Sequence, residues 1–235
     1  TLAAGDALKE RHGARIVAVE ALECPTMLEN GFGAHNIQGI GDKHIPYIHN
    51  VMNTDVATAI SDAATDSLEV LFAHPAGREY LKSRRGLSDA EVDALGSLGF
   101  SGICNVLAAI KTARYYDLGP DDVIVTVATD GAAMYGSERA KILASRFGGE
   151  LDVVRAAEVF GQHMAAVTVD HFAELSYVDR KRIFNLGYFT WVEQQGVGLH
   201  EFEARRDQAF WTKLREKLPV WDERIVDFNR RVQGA

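Results

Sequence analysis

The run Val123-Ile124-Val125-Thr126-Val127-Ala128 restricts the fold more than any other feature of the sequence. It is β-branched or apolar almost throughout, with no alternation of inward and outward faces. That is the pattern of a strand covered on both sides in a parallel sheet. Upstream, Ser101-Gly102 opens a helical stretch in which Val106, Ala109, Ile110 and Ala113 recur at i, i+3, i+4 and i+7, and Gly119-Pro120 ends it. Helix, short connection and buried strand make half of a parallel crossover unit. The strand runs directly into Thr129-Asp130-Gly131-Ala132-Ala133-Met134-Tyr135-Gly136. A polar, glycine-containing loop just past the carboxyl end of a buried strand is where open α/β sheets bind their ligands.

The first twenty residues repeat this arrangement. Helical periodicity over residues 2–11 stops at Gly13, and Arg15-Ile16-Val17-Ala18-Val19-Glu20 reads as a short buried strand. Thr1 stands at the head of that helix with no cap other than itself, so the chain is expected to start inside a domain. Residues 24–53 are rich in Gly, Pro, His and Asn and read as loops arranged around a site. Helix formers return over 54–80, broken by Pro75 and Gly77, and Ser88-Asp89-Ala90-Glu91 has capping-box spacing. After Gly149 charged and aromatic helices take over. Trp211, Leu214 and Leu218 form one stripe before Pro219 stops the helix. The expectation is an α/β domain over residues 1–149, a parallel sheet with flanking helices, followed by a helical extension over 150–235 that serves as an added layer or an interface.

Charge and composition exclude several classes. Against 25 basic side chains stand 33 acidic ones, a formal charge of -8, so nucleic acid is not an expected partner. No apolar run reaches the roughly 18 residues of a membrane helix. Two cysteines, Cys24 and Cys104, are too few for a disulfide framework, which fits a reducing, cytoplasmic setting, and Cys24 is expected to pack. His35, His44 and His49 cluster in sequence, but spacings of nine and five match no common zinc pattern, so no metal is expected. Asp55, Asp62 and Asp66 read as solvated faces or caps.

Three ordered segments resemble the fold-type II pyridoxal-phosphate enzymes, the family of cysteine synthase, cystathionine beta-synthase and threonine dehydratase. Thr1-Leu2-Ala3-Ala4-Gly5 is similar to the end of that family's glycine-rich phosphate loop, with Thr1 as its last threonine. Ile16-Val17-Ala18-Val19-Glu20, then Gly33-Ala34-His35-Asn36-Ile37-Gln38-Gly39-Ile40-Gly41 and Ile45-Pro46, resemble its strand and Gly-Ile-Gly loop. Phe100-Ser101-Gly102, the helix to Tyr116, the run at Val123 and the Asp130 loop resemble its Ser-Ser-Gly helix and pyridine-nitrogen segment. The likeness covers roughly residues 1 to 140. It implies a tryptophan synthase beta-like sheet and pyridoxal 5'-phosphate as cofactor.

The resemblance also assigns roles. Thr1, at a helix amino terminus, would hold the phosphate; as a plain residue it is a helix cap. Gly39 and Gly41 around Ile40 would let main chain lie against a flat ring; they also suit ordinary turns. Asp130, with Gly131, stands where the family commonly has a serine facing the pyridine nitrogen, and a carboxylate there would favour the protonated ring; the alternative is a turn cap. Asp42-Lys43-His44 departs from the small residues usual after the Gly-Ile-Gly loop. Lys43 is not expected to anchor the cofactor, because the family's lysine lies far upstream. The activity implied is a lyase or synthase, beta-elimination or beta-replacement on a small amino acid, in a homo-oligomer. An amino-terminal segment or subunit would supply the lysine, so the chain alone is expected to be inactive. The alternative is a non-catalytic or regulatory subunit with the same fold. A Rossmann-like nucleotide binder is disfavoured, since no Gly-x-Gly-x-x-Gly opens a helix after a strand.

Overall fold

The computed structural model describes residues 2–233, so Thr1 and the role expected of it lie outside the described residues. In chain order the elements are α1 (Leu2–His12), β1 (Val17–Ala21), α2 (Thr26–Glu29), β2 (Val56–Ile60), α3 (Asp62–Ala73), α4 (Pro75–Arg85), α5 (Asp89–Gly96) and α6 (Phe100–Tyr115). They continue with α7 (Gly136–Phe147), α8 (Val153–Phe160), β3 (Phe172–Glu174), α9 (Tyr177–Tyr188), α10 (Leu199–Ala204), α11 (Gln208–Arg215) and α12 (Leu218–Gln233). The fold is mixed α/β and mostly helical. It divides into two compact units, one of Val17–Lys43 with Asp55–Glu174, the other of Leu2–Ile16, His44–Thr54 and the residues from Leu175 on.

The first unit holds a three-stranded sheet in the order β1-β2-β3. β1 and β2 run parallel, with Val17 opposite Val56 and Ala21 opposite Ile60, while β3 is antiparallel to β2, with Thr58 opposite Phe172. β2 falls inside the stretch expected to be helical. Val56-Ala57-Thr58-Ala59-Ile60 is buried at every position between its two neighbours, and a short apolar run of this kind has no periodicity to separate strand from helix. The expected strand at 123–128 does not form: the segment has no regular secondary structure and is exposed, with Val123 at 82% and Val125 at 71%. Among the described residues no strand pairs with it, and without ladder partners an apolar run has no sheet to join.

Helix α3 is the centre of this unit, and Leu68, Val70, Leu71 and Phe72 are core residues. Ser61 caps it by accepting from Ala63 N–H, and His74 Nδ1 caps α4 by accepting from Ala76 N–H, with Pro75 in the first turn. Ser88 and Glu91 form the expected capping box at the start of α5. α6 lies on the sheet with a face rotated from the one its periodicity suggested. Ile103, Cys104, Leu107, Ala108 and Lys111 are buried, whereas Val106, Ala109, Ile110 and Ala113 are half-buried. Lys111 enters the interior because its ammonium donates to the Ala59 and Asp170 carbonyls and pairs with the Asp170 carboxylate at 3.0 Å. Asp62 and Asp66, expected on solvated faces, instead accept hydrogen bonds inside the unit. Cys24 packs in the core as expected, and burial pushes the Cys104 thiol up to about 12.

The second unit is organised around Arg205, which is 2% exposed. Its guanidinium lies 4.2 Å from the Tyr47 ring centre, 4.7 Å from Phe202 and 5.1 Å from Phe184. Trp191 and Trp211 each satisfy the indole N–H, on Ile45 and Arg205 carbonyls at 2.8 and 2.9 Å. Pro219 does not end a helix; it lies in the first turn of α12, where a missing N–H costs nothing. His44 reaches Thr190 at 3.1 Å, and among the described residues no group of three or more His, Cys, Asp or Glu side chains is placed to hold a metal ion. No helix among them is long and apolar enough to cross a membrane.

His49 in this unit is buried, bonded through Nε2 to Thr54 at 2.8 Å, and burial pushes its pKa down to about 4. The unfolded chain, at 6.5, takes up the proton first as pH falls, so stability is lost between about pH 6.5 and 4. By about pH 5 the loss is roughly 2 kcal/mol. Urea denaturation of the wild type and of His49→Leu at both ends of this range should show the variant with the flatter pH dependence; equal slopes would remove His49 as the cause.

Candidate functional site

The glycine loop is built at the carboxyl end of β1. Ile37 is fully buried and anchors it, and Ile40 N–H donates to the Ile37 carbonyl at 3.2 Å to close a turn. Gly39 and Gly41 have φ of +84° and +81°, which L side chains rarely adopt. The two glycines differ in surroundings. A Cβ on Gly41 would stand 3.2 Å from the Ala21 nitrogen and 3.1 Å from His35 Nε2, so this glycine lets the loop lie directly on the end of β1. Beside Gly39 the space is open, and the nearest atom to a Cβ there would be Ser101 Oγ at 3.9 Å.

Asn36 ties the loop to α3. Its backbone N–H donates to Asp62 at 2.6 Å and its amide to Asp66 at 2.9 Å. Burial raises the Asp62 pKa, against the lowering effect of the Asn36 bond.

Helix α6 brings the second component. Gly99 precedes it with no side-chain cap, and Phe100, Ser101 and Gly102 are buried. A side chain on Gly99 would collide with the Asp130 carbonyl oxygen, so glycine is what lets the 129–131 loop lie over the start of the helix. An antiparallel bridge between Leu98 and Gly131, and a bond from Ala132 N–H to the Ser97 carbonyl at 2.9 Å, fix that loop. The Ser101 and Thr129 hydroxyls are hydrogen-bonded to each other. Asp130 itself is exposed, and its carboxylate accepts a bond from the Tyr135 hydroxyl at 3.4 Å. Burial and then the Asp130 charge raise the Tyr135 pKa.

Of the residues named from the sequence, Gly39 is thus brought up to Ser101, whose hydroxyl partner Thr129 adjoins Asp130 and Gly131. Ile40 is half-buried, and Lys43 is exposed. Sequence reasoning missed the Ser101–Thr129 hydroxyl pair. Both residues stood inside recognised motifs, but hydroxyls 28 positions apart carry no spacing signal.

The arrangement combines groups of different chemistry. It offers a helix amino terminus without a side-chain cap, two hydroxyls, a carboxylate and a position where the absent side chain of Gly39 leaves room. Gly41 marks the contrast, and the pair gives a stability test. Gly39→Ala should cost about 1 kcal/mol, the strain of the left-handed backbone alone, whereas Gly41→Ala should cost about 2 to 3 kcal/mol because contact with β1 adds to it. Denaturation midpoints measure both; equal costs would mean that Gly41 does not press on the strand.

No family model matches the chain. The chain is similar to cysteine synthase B of Campylobacter jejuni subsp. jejuni serotype O:2, with 33% identity over 132 residues, 56% of this chain and 37% of that protein. The chain therefore spans well under half the length of the curated relative it matches.

Proposed function

We propose that residues 1–149 are the carboxyl-terminal part of a fold-type II pyridoxal-phosphate domain, with 150–235 as a helical extension. The activity is that of a lyase or synthase acting on a small amino acid by beta-elimination or beta-replacement. The observation that carries this reading is the convergence of the Gly39 loop, the Ser101–Thr129 hydroxyl pair and the Asp130 loop at the start of α6. The partial likeness to cysteine synthase B supports the same class.

Pyridoxal phosphate, when bound, supplies an electron sink for the bonds at an amino acid's α-carbon. This chain's residues position and polarise it. The start of α6 and the Ser101 and Thr129 hydroxyls offer hydrogen bonds to an anionic ligand. Gly39 would leave main chain beside Ile40 open to the ring, Gly41 seats that loop on β1, and Gly131 sets the turn that presents Asp130. With the cofactor bound, the Asp130 carboxylate would favour a protonated pyridine nitrogen. By the resemblance, Thr1 would serve the phosphate end. The lysine that anchors the cofactor and moves the substrate proton comes from a segment upstream of the matched stretch.

The complete protein, purified with pyridoxal phosphate, should be yellow and bleach with borohydride. A colourless, unresponsive complete protein would favour the non-catalytic reading. Asp130→Ser should alter the absorption spectrum and lower turnover by about five- to tenfold, the effect of an exposed charge on the ring nitrogen. If spectrum and turnover are both unchanged while Thr129→Ala impairs them, the threonine hydroxyl would donate to an unprotonated ring nitrogen and Asp130 is a turn cap.

A further inference from the structure

Helix α12 leaves a row of large apolar side chains open to water. Leu218, Trp221, Ile225, Phe228 and Val232 recur at spacings of three, four, three and four residues, the 3.5-residue repeat of a coiled-coil seam. All five are exposed, from 49% for Leu218 to 65% for Phe228, and no residue of α12 is buried. Asp222, Glu223, Asp227, Arg230 and Arg231 interrupt the row, and Asp227 and Arg231 pair along the helix. Five bulky apolar groups in one line on an amphipathic helix are the signature of an interface.

We propose that α12 pairs with the α12 of a second copy of this chain as a short, parallel, in-register coiled coil. Leu218, Ile225 and Val232 occupy the a positions, and Trp221 and Phe228 the d positions. β-Branched residues at two of the three a positions suit a parallel two-stranded arrangement. The flanking charges select both occupant and direction. Lys217, Arg224 and Arg231 fall at g, and Asp222 and Asn229 at e. The Trp221 N–H bond to the Lys217 carbonyl at 3.1 Å carries helical bonding back to that lysine. In a parallel pair each g residue faces the e residue five positions on, which sets Lys217 against Asp222 of the other copy, twice by symmetry. An antiparallel pair would set g against g, and Arg224 would meet Arg231. The pairing gives self-association a definite surface and stands independently of the cofactor reading.

Two heptads form a weak zipper, so the dimer should dissociate on dilution through the micromolar range. Sedimentation of the full chain should show this, and Ile225→Asp, an exposed position, should leave the circular dichroism unchanged and the protein monomeric. Lys217→Glu and Asp222→Lys should each weaken the dimer several-fold and together restore it. Ile225→Cys should cross-link to its counterpart on oxidation, free of interference because Cys24 and Cys104 are buried. A chain that stays monomeric at high concentration, or a dimer that survives Ile225→Asp, overturns the proposal. A dimer that neither cross-links at 225 nor responds to the charge exchange overturns the parallel register.

Discussion

Helix α3 is buried along most of its length, and of its acidic side chains Asp66 and Glu69 are buried and Asp62 half-buried. Removing a carboxylate from water costs several kcal/mol unless it is paired and hydrogen-bonded, so each of these groups has to recruit a partner. Glu69, 1% exposed, takes Arg139 of α7 at 2.7 Å; Asp66 takes Arg146 of α7 at 3.0 Å and the Asn36 amide. Asp62 takes the Asn36 backbone, while its own N–H donates to Glu23 at 3.0 Å. Burial still raises the Glu69 and Asp62 pKa values, which shows that pairing only partly offsets desolvation. The consequence reaches the candidate site, because the groups that satisfy α3 include Asn36, three residues before Gly39. The glycine loop is held in place by the electrostatic requirements of a core helix.

Much of the local architecture was legible because it is local. The capping box at Ser88 and Glu91 involves groups three residues apart, so spacing alone reveals it. β1 and α6 have enough apolar content and clear enough boundaries to be read one-dimensionally. β2 was hidden, since five residues without alternation, run together with the helix formers that follow Asp62, look like part of a helix. β3 was hidden more deeply. Phe172-Ala173-Glu174 has no pattern at all and becomes a strand only because β2 offers it an edge. The 123–128 run is the converse case. Its residues favour a strand, but a strand is a relation between segments, and no partner among the described residues meets it. Buried Asp66, Glu69 and Lys111 share one explanation: composition marks charged residues as surface, and only tertiary pairing makes an interior position tolerable.

The site was legible to the extent that motifs mark backbone. Glycines at 39 and 41 marked main chain without side chains or a turn, and both have positive φ. What the pattern did not separate is why each is glycine. Gly41 is required by close packing on Ala21, a structural need that would hold with no ligand, whereas Gly39 faces open space toward Ser101. Only the second is the kind of gap that a ligand would use. Gly99, which no motif reasoning singled out, matters as much as either, because it lets the Asp130 carbonyl lie on the start of α6.

The placement of Asp130 bears on how much its charge can do. Two unit charges about 4 Å apart interact by about 1 kcal/mol in bulk water and by about 4 kcal/mol at an effective dielectric near 20. Asp130 is exposed, whereas the neighbouring Ser101 is buried and bonded to Thr129. Left open to water, a carboxylate here would bias the protonation of a nearby ring nitrogen by about fivefold; enclosed, it would dominate the site. The hydroxyl pair acts differently, since a hydrogen bond between neutral groups orients a ligand without changing the charge around it. Whatever closes over the 129–131 loop, by excluding water, therefore decides whether this site works through the field of Asp130 or through the geometry of Ser101 and Thr129.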